Sequence, residues 1–215
     1  MKNSLYYLMF LLIAGFICLG AWQLTRLSWK SELISSAQRN SSLPALSSLP
    51  SNVDSKLFYT HVNFKGQILH SEKKVVTLES YKQKYYYRVL APVKIENRLV
   101  MVDFGITSDK NVVLPEEIDS QGILFNFDRK NIFYPKNNPD KLVWYNMDYG
   151  TIKDHLGLGI EPYYIKIVPG HSISDEFIVK PFATSYRNDH LMYAITWFLL
   201  AFFCSIILYF RIKQA

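Results

Sequence analysis

The stretch LYYLMFLLIAGFICLGAWQL, residues 5–24, decides the fold class of this chain. It holds no Asp, Glu, Lys, Arg or His, and the same is true of LMYAITWFLLAFFCSIILYF, residues 191–210. A bilayer core about 30 Å thick is crossed by roughly 20 helical residues. The two stretches therefore predict two transmembrane helices, and residues 25–190 between them are numerous enough for one extramembrane domain.

The averages of the whole chain conceal this division. The chain is 49% hydrophobic and 20% charged with a formal net charge of +6, and its mean hydropathy is +0.02. Such values are typical of an ordinary soluble domain rich in aromatic residues. The two charge-free stretches exclude a plain soluble protein, and two spans are too few for a polytopic transporter or channel.

The first stretch has the position of a secretory signal peptide, but signal h-regions are roughly 7 to 15 residues long and lead to a small-residue cleavage site. Here the longer apolar run continues into Trp22, Gln23 and Arg26, so we expect an uncleaved anchor. Residues 1–4 leave no room for a mitochondrial presequence, which favours a bacterial protein. Two spans form a hairpin, and the flanking basic residues lean only weakly toward a cytoplasmic domain.

Each span also carries small residues at helical spacing. They are Ala14, Cys18 and Ala21 in the first span and Ala194, Ala201 and Ser205 in the second. Rows of small residues let two helices approach closely in lipid, so the spacing suggests that the spans pack on each other. Chance in an apolar composition explains the rows equally well.

Period-two alternation of apolar and polar residues dominates the segment between the spans. Before it, residues 25–40 keep a helical rhythm and residues 41–55 have the composition of a linker. Strands are predicted at residues 61–69, 73–79, 85–93, 122–127 and 163–168, with a hairpin at residues 92–104. Asp148 and Gly157 cap a predicted helix at residues 149–156. The predicted fold class is a membrane α-helical hairpin with an extramembrane antiparallel β-rich α+β domain, one arrangement of which is a barrel.

Nothing in the segment between the spans assembles into a catalytic set. Cys18 and Cys204 fall inside the spans, so the domain has no disulfide, zinc-thiolate site, iron-sulfur cluster or cysteine nucleophile. No Gly-rich loop follows a strand and opens a helix, and charges alternate in sign without a basic stripe. Apart from His190 at its last position, the histidines of this segment lack the close carboxylates of a metal site; they are His61, His70, His155 and His171. We therefore expect no enzyme and no nucleic-acid partner.

The residues most suited to a function lie where the spans meet the domain. They are Trp22, Arg26 and Trp29 on one face of the first helix and His190, Tyr193 and Trp197 on one face of the second. One interpretation is an interfacial belt of aromatic residues with snorkelling cations, which anchors any span. The other is a site for a flat apolar cofactor, with His190 as metal ligand and Arg26, Lys30 and Arg187 near its carboxylates.

Two motifs at these positions resemble those of a known family. GAWQLTR, residues 20–26, continues to Trp29-Lys30 and resembles the G-x-W-Q-x-x-R-x-x-W-K opening of the surfeit locus protein 1 family. HLMYAITWF, residues 190–198, resembles that family's closing H-L-x-Y-A-x-T-W-F. Phe64-Lys65-Gly66 and residues 87–92 and 100–105 fall between them in the family's order, so the resemblance covers nearly the whole chain.

The resemblance implies an assembly factor for haem-copper cytochrome c oxidase that holds or delivers haem a to the oxidase large subunit. It implies a two-pass protein of the bacterial inner membrane, with both termini cytoplasmic and the central domain periplasmic. Its partners would be the oxidase large subunit, assembly intermediates and the lipid bilayer. The family role of iron ligand falls on His190, and the cofactor-binding set is His190, Tyr193, Trp197, Trp22 and Arg26. The alternative is a cofactor-free membrane scaffold that stabilises an oxidase assembly intermediate.

One motif departs from the family pattern. Where the family commonly has V-N-R-G-W, this chain has Val102-Asp103-Phe104-Gly105-Ile106. The glycine is kept, but Arg and Trp are missing. Ligand or partner contacts that depend on those two side chains therefore cannot be carried over.

Overall fold

The structure is a computed structural model that describes residues 2–69, 74–127, 135–141, 143–182 and 188–214. It divides into two compact units, one formed by Met1–Ser36 with Thr184–Ala215 and the other by Ala37–Ala183. In chain order the elements are α1 (Lys2–Ser41), β1 (His61–Ile68), β2 (Val75–Tyr81), β3 (Lys84–Ile95), β4 (Arg98–Thr107), β5 (Glu117–Asn126), α2 (Tyr149–Leu156), β6 (Tyr163–Ile167) and α3 (His190–Lys213).

Helices α1 and α3 are each long and apolar enough to cross a membrane, in agreement with the two predicted spans. Helix α1 has 40 residues and is about 60 Å long, so it continues past residue 24 as the helical rhythm of residues 25–40 predicts. The two helices run antiparallel. The buried residues of α3 are Ala194, Ala201 and Leu208, which lie seven positions apart. The contact between the helices therefore follows a seven-residue repeat.

The small residue that matters on α1 is Gly20, which is buried against α3. A Cβ at this position would lie 2.6 Å from Cε1 of Phe198, so a larger residue would require the ring of Phe198 to move. The predicted row on α3 is confirmed at Ala194 and Ala201, whereas its third member, Ser205, is exposed. The predicted row on α1 is wrong: Ala14, Cys18 and Ala21 are exposed, since they lie on a different face from Gly20.

The second unit is built on a six-stranded sheet in the order β1-β5-β6-β4-β3-β2. Strand β1 also pairs with β3 through Gln67 and Ile68, so the hydrogen bonds of five strands close into a ring and β2 extends it beyond β3. The predicted β-rich domain is confirmed. One pair, β4 with β6, is parallel, which makes the sheet mixed.

Both faces of the sheet carry apolar residues because both are covered. One cluster takes residues from every strand of the ring, including Val62, Val102 and Ile165. The other lies on the opposite face, where α2 contributes Ile152 and Leu156. The predicted caps of α2 are confirmed: Asp148 accepts hydrogen bonds from the backbone N–H and the hydroxyl of Thr151, and Gly157 has a φ of 63°.

The strand predictions hold in position and differ at their ends. The predicted hairpin is formed by β3 and β4, with Val93 opposite Val100. Ile95 pairs with Arg98, so Glu96 and Asn97 form the turn. Strand β5 begins at Glu117 and not at residue 122, since its polar first half pairs with β1. Residues 70–73, at the predicted start of β2, lie outside the described residues.

The segment that departs from the family pattern belongs to the core. Phe104 is fully buried, with its ring centroid 6.1 Å from that of Phe177. Gly105 has a φ of +101°, and a Cβ there would lie 2.7 Å from the carbonyl oxygen of Ile178. The glycine is therefore required by the backbone, while the residue before it serves packing in this chain.

Candidate functional site

His190, the first residue of α3, contacts Gln23 of α1. Its Nδ1 lies 2.7 Å from Oε1 of Gln23. An amide oxygen accepts hydrogen bonds and cannot donate them, so in a neutral ring this contact puts the hydrogen on Nδ1 and leaves the lone pair on Nε2. Within the described residues no hydrogen bond reaches Nε2. The ring thus presents its free nitrogen as an available metal ligand.

The helix repeat explains why these two side chains meet. Gln23 follows Gly20 by three residues on α1, and His190 precedes Ala194 by four on α3, so both belong to the contact seam. The rest of that seam is apolar or aromatic near this point. A polar pair at such a position satisfies its own hydrogen bond across the two helices, as polar residues of transmembrane helices commonly do.

Trp197 and Tyr193 lie next to His190 on α3, as the spacing predicts. Trp197 is half-buried, and its ring stacks on Phe16 of α1 with centroids 5.8 Å apart and planes inclined by 23°. Tyr193 is 55% exposed. One continuous face of α3 therefore carries His190, Tyr193 and Trp197. On this face the ring of Trp197 is held by Phe16, and the ring of Tyr193 is exposed.

The predicted site residues of α1 are arranged differently from those of α3. Trp22 is 53% exposed, and the guanidinium of Arg26 lies over the ring of Trp29 at 4.6 Å from its centroid. In the described part of the chain no hydrogen bond or ring contact joins these residues to His190. Counting 100° per residue from the seam places Arg26 on the same side of the helix pair as Tyr193, while Trp22 points further outward.

The contact between the two chain segments continues past His190. Nδ2 of Asn188 donates a hydrogen bond to Oγ of Ser31 at 3.1 Å. Lys30, one turn from Arg26, is half-buried. Arg187, the third predicted cation, lies outside the described residues.

The donor set of this site suits one nitrogen ligand. Among the residues that the structure describes, no group of three or more His, Cys, Asp and Glu residues could hold a metal ion. A haem iron could be held by one histidine nitrogen of the protein, with a hydrogen bond to the other ring nitrogen that orients the ring. His190 with Gln23 meets both conditions. His155, by contrast, has its ring edge-on to Trp144 in the other unit.

Sequence reasoning missed a charged cluster in the β unit. Asp103 is 1% exposed and accepts hydrogen bonds from Nε and Nη2 of Arg88, at 3.0 and 2.7 Å, and from the backbone N–H of Gly105. Lys166 is the Cα partner of Asp103 on the parallel strand. Burial lowers the pKa of Lys166, and Asp103 opposes this effect. The pair of Arg88 and Asp103 joins β3 to β4.

Gln23 is the second residue that sequence reasoning left without a role. It stands in the opening motif between Trp22 and Leu24, and the sequence pattern indicated a role for the neighbouring tryptophan and not for the glutamine. The signal that could have found it is its distance of three residues from a glycine on a helix of seven-residue periodicity.

Comparison with known proteins shows that these residues lie within a region shared with one protein family. The model of the family described as the SURF1 family matches residues 10–202, which include Gln23 and His190. The chain is 32% identical over 210 residues to a SURF1-like protein of Rickettsia conorii, with 91% of this chain and 85% of that protein covered. It is 26% identical over 228 residues to surfeit locus protein 1 of Gallus gallus, with 92% of this chain and 72% of that protein covered.

Proposed function

This chain belongs to the SURF1 family, and on that basis we propose that it assists the assembly of haem-copper cytochrome c oxidase by holding haem a for the oxidase large subunit. The hydrogen bond between His190 and Gln23 carries the proposal, because it leaves Nε2 of His190 with a lone pair for the haem iron. No catalysed step is involved, so the protein acts as a carrier and not as an enzyme.

The surroundings of His190 suit a flat apolar ligand with two acidic groups. Haem would supply an iron for the nitrogen of His190 and two carboxylates for cationic side chains. Trp197, held by its stack on Phe16, and the exposed Tyr193 provide aromatic surface on the same helix face as His190. Arg26 lies on that side of the helix pair and can pair with a carboxylate. Trp22 completes the aromatic boundary on α1.

The arrangement favours transient binding over permanent binding. A carrier has to release its cargo, and His190 would hold the haem through a single nitrogen ligand, which favours release. Tyr193 and Trp22 are 55% and 53% exposed, so the site is open toward its surroundings. Because the site lies at the end of two apolar helices, we place its open side at the surface of the bilayer.

The proposed setting is the bacterial inner membrane. Helices α1 and α3 form an antiparallel pair of apolar helices, which supports two crossings and puts both termini on one side. The family resemblance supports cytoplasmic termini and a periplasmic β unit. In this arrangement the protein would contact the oxidase large subunit and its assembly intermediates in and beside the membrane. The flanking basic residues lean weakly toward the opposite orientation, but the positive-inside rule loses force for long connecting segments such as this one.

Co-purification tests the proposal most simply. The full chain is expressed with and without the enzymes of haem a synthesis, purified in detergent, and analysed by visible spectroscopy and haem extraction. We expect a Soret band and extractable haem a after co-expression. A protein without Soret absorption under these conditions would contradict haem holding and favour the cofactor-free scaffold, which stabilises an oxidase assembly intermediate through protein contacts alone.

A further inference from the structure

We infer that Gln23 is the positioning residue of this site: it fixes the neutral ring of His190 in the tautomer that carries its hydrogen on Nδ1 and so commits Nε2 to the ligand. The inference rests on the proposed function for the identity of that ligand, haem iron. It does not rest on it for the tautomer, which is a property of the protein alone.

The pair has two possible arrangements, and the structure has the one in which Oε1 of Gln23 faces Nδ1 of His190. With Oε1 of Gln23 at 2.7 Å, Nδ1 has to donate, and Nε2 keeps its lone pair. If the amide were turned so that its NH2 group donated to Nδ1, the ring hydrogen would move to Nε2 and the histidine could not bind a metal through that nitrogen. The orientation of one amide therefore decides which nitrogen of His190 is free.

The position of Gln23 makes this selection effective. Gln23 is half-buried in the seam, three residues from buried Gly20, and His190 is half-buried opposite it. Water competes poorly for hydrogen bonds between packed helices, so the partner of Nδ1 is the amide. Hydrogen bonds to the second nitrogen of a ligating histidine orient the ring and raise its basicity, and their loss typically lowers metal affinity about 10- to 100-fold.

A purely structural role for Gln23 would be to hold the two helices together. Two substitutions separate the roles. Gln23→Leu removes the acceptor and keeps an apolar side chain of suitable size in the seam, whereas Gln23→Glu keeps an oxygen acceptor for Nδ1. Gln38→Leu is the matched control, because Gln38 is an exposed glutamine of the same helix.

The first measurement needs no haem. Nuclear magnetic resonance of the full chain with isotope-labelled histidine, in detergent or lipid nanodiscs, reports which ring nitrogen carries the hydrogen. The His190 signal is identified by its absence in His190→Ala. We expect the Nδ1–H form in the wild type, in Gln23→Glu and in Gln38→Leu, and a mixture of both tautomers in Gln23→Leu. A wild type with its hydrogen on Nε2, or an unchanged tautomer in Gln23→Leu, would overturn the inference.

The second measurement uses haem a as the probe. We expect Gln23→Leu to bind it about 10- to 100-fold more weakly than the wild type, with Gln38→Leu unchanged. Gln23→Glu should retain binding and lower the reduction potential of the bound haem, because a carboxylate makes the ligating ring more electron-rich. Equal affinity of Gln23→Leu and the wild type would overturn the positioning role. A wild type with the Nδ1–H tautomer that binds no haem would refute the proposed function alone and leave the tautomer assignment standing.

Discussion

Asp103 holds Arg88 inside the β unit by accepting two of its hydrogen bonds, with Nη2 of the guanidinium 2.7 Å from Oδ2 of the carboxylate. The carboxylate is 1% exposed, and Lys166 faces it from the neighbouring parallel strand. One buried carboxylate thus balances two cations. The proposed site lies on the helix pair, so we expect this cluster to stabilise the β unit and not to take part in binding.

Replacing Asp103 by Asn should therefore destabilise the β unit strongly. The substitution leaves Arg88 and Lys166 without a counter-charge, and breaking a buried ion pair on one side typically costs about 3–5 kcal/mol. Thermal or denaturant unfolding of the full chain in detergent measures the effect. Asp119→Asn is the control, since Asp119 pairs with Lys65 on the exposed surface and should change little. Equal effects of the two substitutions would refute this account of the cluster.

Gly105→Ala should destabilise the chain through the backbone. Alanine at a φ of +101° is strained, and its Cβ would lie 2.7 Å from the carbonyl oxygen of Ile178, so a loss of about 1–3 kcal/mol is expected. Gly159→Ala is the matched control, because a Cβ there meets nothing within 4 Å and the φ is ordinary. The prediction fails if both variants unfold at the same temperature.

The stability of the β unit should fall at alkaline pH through Tyr163. Burial raises the pKa of this phenol to about 12, although Arg98 acts in the opposite direction. Because the pKa in the unfolded chain is about 10, the folded state holds the proton more tightly. The contribution is complete below pH of about 10 and is lost as pH rises toward about 12. The difference in unfolding midpoint between the wild type and Tyr163→Phe, followed across this range, isolates the effect, and a difference independent of pH would contradict it.

The proposed topology can be tested by labelling introduced cysteines. Ser51 is exposed in the β unit, and Gln214 is exposed at the end of α3. We expect Ser51→Cys to react with a membrane-impermeant maleimide in intact spheroplasts and Gln214→Cys to react only after the membrane is permeabilised. The native Cys18 and Cys204 lie within the apolar helices and are replaced by Ser in both variants. The opposite labelling pattern would place the β unit in the cytoplasm.

The local elements of this fold could be predicted because their signals are local. Charge-free runs of the right length mark both apolar helices, alternation marks the strands, and Asp148 with Gly157 marks the ends of α2. The closure of the ring could not be predicted, since it depends on a pairing of Gln67 and Ile68 with a strand some 25 residues further on. No local pattern specifies such a contact.

The candidate site was predictable on one helix and less so on the other. His190, Tyr193 and Trp197 share a face as their spacing requires, and the seam turns Trp197 inward. On α1 the small residues suggested the wrong face. Which face of a helix makes a contact depends on the partner helix. Here Gly20 contacts the ring of Phe198, and Gln23 contacts His190. The spacing of Gln23 from Gly20 marks it as a residue of the contact, but only the folded structure shows that its partner is His190.

The haem a content of purified His190→Ala tests the central claim most directly. Wild type, His190→Ala and His171→Ala are co-expressed with haem a synthesis, and haem per chain is measured after purification; His171 is an exposed histidine of the β unit. The account predicts haem a in the wild type and in His171→Ala and its loss from His190→Ala. A full complement of haem a in His190→Ala would contradict the assignment of His190 as the iron ligand.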